Sequence, residues 1–321
     1  MRAIVVEKYG GIEQLKLQER PIPALEPETL LVRLFAAGVN PVDTYQRSGI
    51  QGYTPRLPFT PGMDGAGVIE EAGEGIRDLD VGMKVYVAGS ISGAYAEYCL
   101  CAPESLHPLP DELEWVEGAC LGVPYFTAAR ALFTAGKLRG NETVLIHGAS
   151  GGVGLACLQL CLGLDVTVYA TAGSHEGEML TLVNGAEGCF NHRDAGRFEE
   201  IKKAAGEGGV DLIVEMLANE NLDADLKLLG REGRVVVVGS RGPITIAPRD
   251  LMSVEGRIIG VKMISSSLEE RREYARIIVE GVRAGHIKPL IQAVYSFEDV
   301  HLAHQDIISG PHLGNLVIGI P

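Results

Sequence analysis

Several protein classes are excluded by what this sequence lacks. Its six cysteines, at positions 99, 101, 120, 157, 161 and 189, include no C-x-x-C pair. Cys99 and Cys101 lie two apart in a strand-like run, and Cys157 and Cys161 lie four apart on a helix-like face. Both spacings suit buried, reduced thiols rather than metal ligands or disulfides. Cations are outnumbered, with 28 Lys and Arg against 42 Asp and Glu and a net charge of −14, which argues against a broad basic surface for duplex nucleic acid or for a membrane. There is one tryptophan and no long basic-aromatic run, so single-stranded RNA binding is not visible in the residues. No apolar run approaches the ~18 residues of a membrane span. Glu7 and Lys8 interrupt the N-terminal apolar run before it could serve as a secretory segment, and a cytoplasmic protein is the expectation.

What remains is ordinary for a soluble enzyme: 46% hydrophobic and 22% charged residues over 321 positions, a length that suits about two domains. The central stretch is TVLIHGASGGVG, residues 143–154. An aliphatic run breaks at a glycine-rich turn, after which Val153, Ala156, Cys157, Leu160, Cys161 and Leu164 recur at helical spacing. A strand, a tight turn and a helix N-terminus in that order make a cradle for a pyrophosphate. The fingerprint is imperfect: Ala149 stands where the first glycine of G-x-G-x-x-G is expected, while Gly151 and Gly154 keep the other two places.

Before this stretch, residues 3–6, 30–35, 67–71, 84–87 and 94–100 read as short strands in a partly closed sheet, and residues 116–135 as one long helix. After it, strand-like runs at 143–147, 166–170, 188–190, 210–215 and 234–239 alternate with helical stretches at 152–163, 175–184, 196–205 and 219–229. That alternation predicts a parallel, doubly wound α/β sheet of Rossmann type, extended by a strand at 257–261. Ser267 and Glu270 form a capping box before a helix striped with Tyr274, Ile277, Ile278 and Val282. Ser296 and Asp299 suggest a weaker box, and residues 315–320 a final strand.

Several further segments, GVNPVDTYQRSG (38–49), ISGAYAEY (91–98), GVPYFTA (122–128), FNHRD (190–194), EMLAN (215–219) and VVGSRG (237–242), carry a family likeness along nearly the whole chain. Together with HGASGGVG they resemble the zinc-free quinone oxidoreductases of the medium-chain dehydrogenase/reductase superfamily, most closely the zeta-crystallin-like members. The resemblance implies a GroES-like β-barrel catalytic domain over residues 1–122, a Rossmann NADPH-binding domain over 123–262, and a C-terminal part, 263–321, that completes the barrel. It also implies a homo-oligomer, a dimer or a tetramer. Zinc-dependent members place a cysteine ligand where this chain has Asn40 and a histidine ligand where it has Met63, and the four-cysteine lobe is missing, so no metal is expected.

By the same resemblance, Asn40, Asp43 and Tyr45 lie in the active-site loop, Asn40 against a quinone or nicotinamide oxygen and Tyr45 against the ring and the coenzyme. Thr127 faces the carboxamide. Ser150, Gly151, Gly152 and Val153 form the turn at the pyrophosphate, and Asn221, Val238, Gly239, Ser240 and Arg241 form covering loops. Val261, Lys262 and Met263 make the last coenzyme-contacting strand. Plainer roles stay open: Asn40 capping a turn before Pro41, Tyr45 as packing, Thr127 bonded back to a helix carbonyl, and His192 as a spectator. About 20 residues after the turn an NAD site carries Asp or Glu, yet residues 169–174 read Y-A-T-A-G-S. That gap admits a 2′-phosphate, which the resemblance implies would be met by Gly173 and His192, with Arg193 a further candidate. His147, just before the turn, reads as a buried, hydrogen-bonded position rather than a catalytic one.

A quinone gains aromaticity on reduction, so it needs orientation more than Lewis-acid help. The expectation is therefore an NADPH:quinone oxidoreductase acting on ortho- or para-quinones, with single-electron steps among the routes open. Two alternatives remain, an NADPH-dependent enone or alkenal double-bond reductase, and an AU-rich RNA-binding or lens structural protein of zeta-crystallin type.

Overall fold

The chain opens with β1 (Arg2–Val5), paired antiparallel with β2 (Lys16–Glu19). The apolar run LLVRLFAAGV then forms β3 (Leu30–Val39), buried along most of its length. In the computed structural model, which describes residues 1–50 and 52–321, β3 is flanked by antiparallel partners on both sides. After β3 comes α1 (Pro41–Ser48), then β4 (Asp64–Ala72), β5 (Lys84–Ala88), β6 (Tyr98–Cys101) and β7 (Leu106–Pro108).

Residues 41–48, expected as a loop, are helical because Pro41 presets the first helical φ and Asn40 occupies the N-cap. The long helix expected over 116–135 is divided into α2 (Trp115–Gly118) and α3 (Val123–Ala129), the latter running into a π-helical stretch, Arg130–Ala135. Pro124 lacks the N–H that a continuing helix needs and is tolerated only in a first turn. A side chain at Gly122 would meet Asp64 Oδ1 at 2.2 Å, so the chain passes that carboxylate as bare backbone.

From Thr143 the alternation holds element by element. β8 (Thr143–Ile146), α4 (Gly152–Cys161), β9 (Thr167–Ala172), α5 (His175–Val183), β10 (Gly188–Asn191), α6 (Arg197–Ala205), β11 (Val210–Glu215), α7 (Ala218–Leu226), β12 (Leu229–Val237), α8 (Pro248–Ser253) and β13 (Arg257–Gly260) follow in order. The six strands form one parallel sheet in the order β10-β9-β8-β11-β12-β13, a doubly wound arrangement that reverses between β8 and β11. One side is packed by Leu145, Ile201, Val210, Ile213, Leu222, Leu226 and Val235.

α9 (Leu268–Arg283) begins at the expected box: Glu270 N–H donates to Ser267 Oγ at 3.1 Å and Ser267 N–H to Glu270 Oε2 at 2.7 Å. β14 (Ile291–Tyr295), α10 (Val300–Ser309) and β15 (Asn315–Gly319) close the chain. β15 pairs with β3, giving a sheet ordered β14-β15-β3-β4-β5-β7 with β6 also on β3. The Ser296–Asp299 pair is made, but Asp299 itself takes the N-cap of α10.

By compactness, residues 1–124 and 288–321 form one unit and 125–287 the other. The return to the first unit therefore starts at Lys288, later than the 263 expected from the resemblance. Residues 263–287 cluster with the second unit because α9 is tied there: Tyr274 Oη lies 2.5 Å from Thr134 Oγ1, and Arg130 pairs with Glu270 at 2.6 Å.

Candidate active and coenzyme sites

In the first unit, Asn40 is 5% exposed at the junction of β3 and α1. Its N–H donates to Asp43 Oδ2 at 2.8 Å and its side-chain amide to Asp64 Oδ2 at 2.9 Å. Both oxygens of Asp64 also accept from Val123 N–H, so the carboxylate that holds the amide is itself held by the backbone. The amide keeps a second N–H for a ligand. Tyr45 is half-buried on α1, its ring 5.6 Å from that of Tyr53. Gln46 and Met63 help line an open pocket of about 430 Å³, together with Pro58, Phe59, Thr60, Ser90 and Ile91.

Behind α1 runs a chain that the sequence did not reveal. Arg47 has only donors to offer, so its Nη1, 3.3 Å from His304 Nδ1, makes that nitrogen the acceptor. His304 Nε2–H then donates to Tyr95 Oη at 3.2 Å, and Tyr95 O–H donates to Asp43 Oδ2 at 3.0 Å. Burial pushes the Asp43 carboxyl up to about 7 and the His304 imidazole down to about 3.

In the second unit the glycine turn sits on the carboxyl edge of the sheet. The missing first glycine is explained one residue earlier: Gly148 carries the positive φ of 58°, leaving Ala149 buried with its N–H on Thr171 O at 2.8 Å. Gly154 is required, because a Cβ there would lie 2.4 Å from Ala149 Cα and 2.6 Å from Gly148 O. Ser150 is buried, Gly151 is the N-cap of α4, and Gly152 and Val153 open the helix, leaving its first N–H groups toward a pyrophosphate. Thr127 is 8% exposed on α3.

Gly173 follows β9, and a side chain there would meet His192 Nε2 at 2.5 Å. The glycine thus lets the imidazole lie over the turn, and no carboxylate stands at the end of β9. Val238 and Gly239 follow β12, their N–H groups on Glu215 O. Asn219 Oδ1 accepts from Arg241 N–H at 2.7 Å and from Ser240 Oγ at 3.5 Å. Val261 N–H donates to Val237 O, and Lys262 and Met263 follow directly. The turn, the Gly173–His192 pair and these loops all belong to one edge of the sheet, and they fit a dinucleotide.

His147 is 2% exposed, as read from its place before the turn, but its partners were missed. Its Nε2 lies 2.9 Å from Asp225 Oδ1 and 3.7 Å from Glu215 Oε2, and its Nδ1 3.1 Å from Thr171 Oγ1. These three residues form the one group of three metal-ligand types found among the described residues, with donor atoms within 4.8 Å of one another. The 2.9 Å imidazole–carboxylate contact is a hydrogen-bond length, and the nearby Arg197 charge opposes a cation, so the cluster suits a shared proton better than an ion. Burial raises both carboxyls well above the usual carboxylate range and lowers the imidazole. The one signal in the sequence was a carboxylate, Glu215, at the end of the apolar strand that opens EMLAN.

The comparisons agree with this anatomy. Residues 26–111 match the alcohol dehydrogenase GroES-like domain family and residues 152–280 the zinc-binding dehydrogenase family. A quinone oxidoreductase from Rattus norvegicus is 48% identical over 99% of this chain and 97% of its own, and that of Homo sapiens 47% over 97% and 94%. Among solved structures, a mycobacterial protein complexed with NADPH superposes with a TM-score of 0.92 at 27% identity, covering both chains entirely. An NAD-dependent alcohol dehydrogenase reaches the same TM-score at 25% identity, also covering both, so fold alone does not select the coenzyme. With a GroES-like unit, a doubly wound unit and 48% identity to a quinone oxidoreductase over nearly the whole length, the chain belongs to the quinone oxidoreductase family of the medium-chain dehydrogenase/reductase superfamily.

Proposed function

We propose that the protein is an NADPH-dependent quinone reductase that works without zinc. The observation that carries the reading is the pairing of 48% identity to a quinone oxidoreductase over nearly the whole chain with Asn40 and Met63 at the places where zinc-dependent members carry their ligands. An amide and a thioether there do not make a zinc site of the open tetrahedral kind. When bound, the nicotinamide supplies reducing equivalents. The protein's own part is orientation: Asn40, locked by Asp43 and Asp64, presents an N–H to a carbonyl oxygen, and Tyr45 packs against a flat ring beside the recess that Gln46 and Met63 line. Thr127 serves the carboxamide, while Ser150, Gly151, Gly152, Val153, Asn221, Ser240, Arg241, Lys262 and Met263 hold the dinucleotide.

The coenzyme choice rests on Gly173 and His192. With no carboxylate after β9 and an imidazole over the glycine, a 2′-phosphate is accommodated rather than repelled. A homo-oligomer is supported by β13, whose outer edge has no strand partner among the described residues and which carries the exposed Ile258. No helix of the described residues is long and apolar enough to cross a membrane.

The test is NADPH oxidation against a panel of quinones and enones with zinc measured on the same sample. Quinones are expected as the preferred acceptors, at substoichiometric zinc. Preference for alkenals over 1,2-naphthoquinone would transfer the reading to a double-bond reductase, and equal affinity for NADH and NADPH would defeat the coenzyme assignment. Asn40→Ala is expected to lower kcat/KM for quinone about a hundredfold, the scale of losing one oriented donor at a developing oxyanion.

A further inference from the structure

Glu215 ends β11 in full burial, and three of the coenzyme segments meet on it. Its main-chain carbonyl accepts from Val238 N–H at 2.8 Å and Gly239 N–H at 3.2 Å. Its Oε1 accepts from Leu217 N–H and, at 3.3 Å, from Asn221 Nδ2. Its Oε2 faces His147, the residue before Gly148, whose own N–H is bonded to Val214 O on the same strand. One residue therefore ties the 217–221 turn, the 238–239 loop and the start of the glycine turn together.

The protonation of this cluster follows from counting donors. Gly148 N–H donates to Thr171 Oγ1 at 3.1 Å, so the Thr171 hydroxyl proton is free to point at His147 Nδ1, and Nε2–H goes to Asp225 Oδ1. Glu215 Oε2 and Asp225 Oδ2 are then buried oxygens with no donor. One carboxyl proton between them satisfies both, and the cluster keeps a single negative charge. The groups facing Glu215 are His147 from β8, Asp225 from α7 and the Arg197 guanidinium from α6, which donates to Asn221 Oδ1 at 3.4 Å. Arg197 and Glu215 thus hold the Asn221 amide at both ends.

We propose that Glu215 is a positioning residue for the coenzyme, aiming the Asn221 amide, with its grip set by the proton that it shares with Asp225. This rests on the reading of the sheet edge as a dinucleotide site. An ionised Glu215 accepts charge-assisted hydrogen bonds from Leu217 and Asn221, and a protonated one accepts weaker bonds. Coenzyme affinity should therefore fall on acidification through the titration of the cluster.

The test is NADPH fluorescence titration of the full chain across pH, for the parent, Glu215→Gln, Glu215→Ala, Asn221→Ala and the double variant Glu215→Ala with Asn221→Ala. Glu215→Gln keeps an acceptor for Asn221 and supplies a donor toward Asp225. It is expected to stay folded and bind NADPH within a few-fold of the parent, with the pH dependence flattened. Glu215→Ala is expected to raise Kd about tenfold with kcat at saturating NADPH little changed. The double variant is expected to bind no more weakly than Asn221→Ala, because both act through one amide. Additive losses, or a parent-like pH profile in Glu215→Gln, would overturn the proposal even if Glu215→Ala fails to fold. A parent protein that binds neither NADPH nor NADH would instead overturn the coenzyme site itself.

Discussion

Each unit buries a polar network, and the two are built on opposite principles. In the first unit, Arg47, His304, Tyr95 and Asp43 form a line in which each group donates to the next, starting from a cation that cannot accept. Donor and acceptor roles are fixed at every link. In the second unit, His147, Glu215 and Asp225 form a cluster in which acceptors outnumber donors, so that a proton has to reside on one of two carboxyl oxygens. The line sets the direction of each of its hydrogen bonds and ends on one carboxyl, Asp43, whose second oxygen has no partner, whereas the cluster divides two unpartnered oxygens between two carboxyls. The line stands behind α1, which carries Tyr45, and the cluster stands behind the glycine turn and the loops that follow β11 and β12.

The largest expected effect comes from cutting the line at its cationic end. Arg47→Met leaves His304 Nδ1 and the Gly10 carbonyl without their donor, and the loss of unfolding free energy is expected to be on the order of 3 kcal/mol. Urea unfolding followed by tryptophan fluorescence measures it, since the one tryptophan, Trp115, lies in the same unit. A midpoint unchanged from the parent would mean that water replaces the guanidinium and that the line is not continuous.

A smaller effect is a change of slope with pH. Asp43 is raised in the folded state from 3.8 to about 7, so its contribution is full below pH 3.8 and is lost as pH rises toward 7. His304 is lowered from 6.5 to about 3, so its contribution is full above pH 6.5 and is lost as pH falls toward 3. Between about pH 4 and 6.5 the two slopes oppose each other in the parent. Asp43→Asn removes one of them, and its stability relative to the parent should rise with pH through that window, by up to about 1.4 kcal/mol per pH unit. A difference that is flat with pH would show that the two groups do not titrate as placed.

Asp225→Asn is the matching change in the cluster, and it should be tolerated. The amide offers Glu215 Oε2 the donor that the cluster lacks while still accepting from His147, so stability is expected to stay within about 1 kcal/mol of the parent. A loss as large as that of Arg47→Met would erase the distinction between the two networks. The smallest effect is expected at the surface of α9, where Arg276 bonds both Glu273 and Glu280 with 2.6 to 2.9 Å contacts in the open. Arg276→Ala should leave the thermal midpoint where it is, because exposed pairs are screened by water.

Much of the second unit was legible beforehand, because a strand buried on both faces reads as a short apolar run and each run here is separated by a helix-length stretch. β11 and α4 start where the sequence placed them, and the Ser267 box opens α9. The first unit was less legible. The helix at Asn40 hid in a mixed polar segment whose cap bonds Asp43, and the long helix read across 116–135 ignored what Gly122 has to pass. The boundary near 287 could not be seen because it depends on where the side chains of α9 find partners. The Gly148 substitution for the expected first glycine was visible as a letter, but its positive φ was not.

The sequence by itself determined the alternation of strands and helices, the glycine-rich turn and the absence of a carboxylate after β9. Those are properties of residues near one another along the chain, where periodicity, backbone sterics and ligand chemistry act locally. Only the tertiary structure decided that Asp43 meets Tyr95 and His304, and that Glu215 meets His147 and Asp225. Those partners are tens to hundreds of positions apart, and nothing local specifies which buried donor reaches which acceptor. Burial then makes each pairing obligatory, since a polar atom removed from water has to find its partner inside the fold.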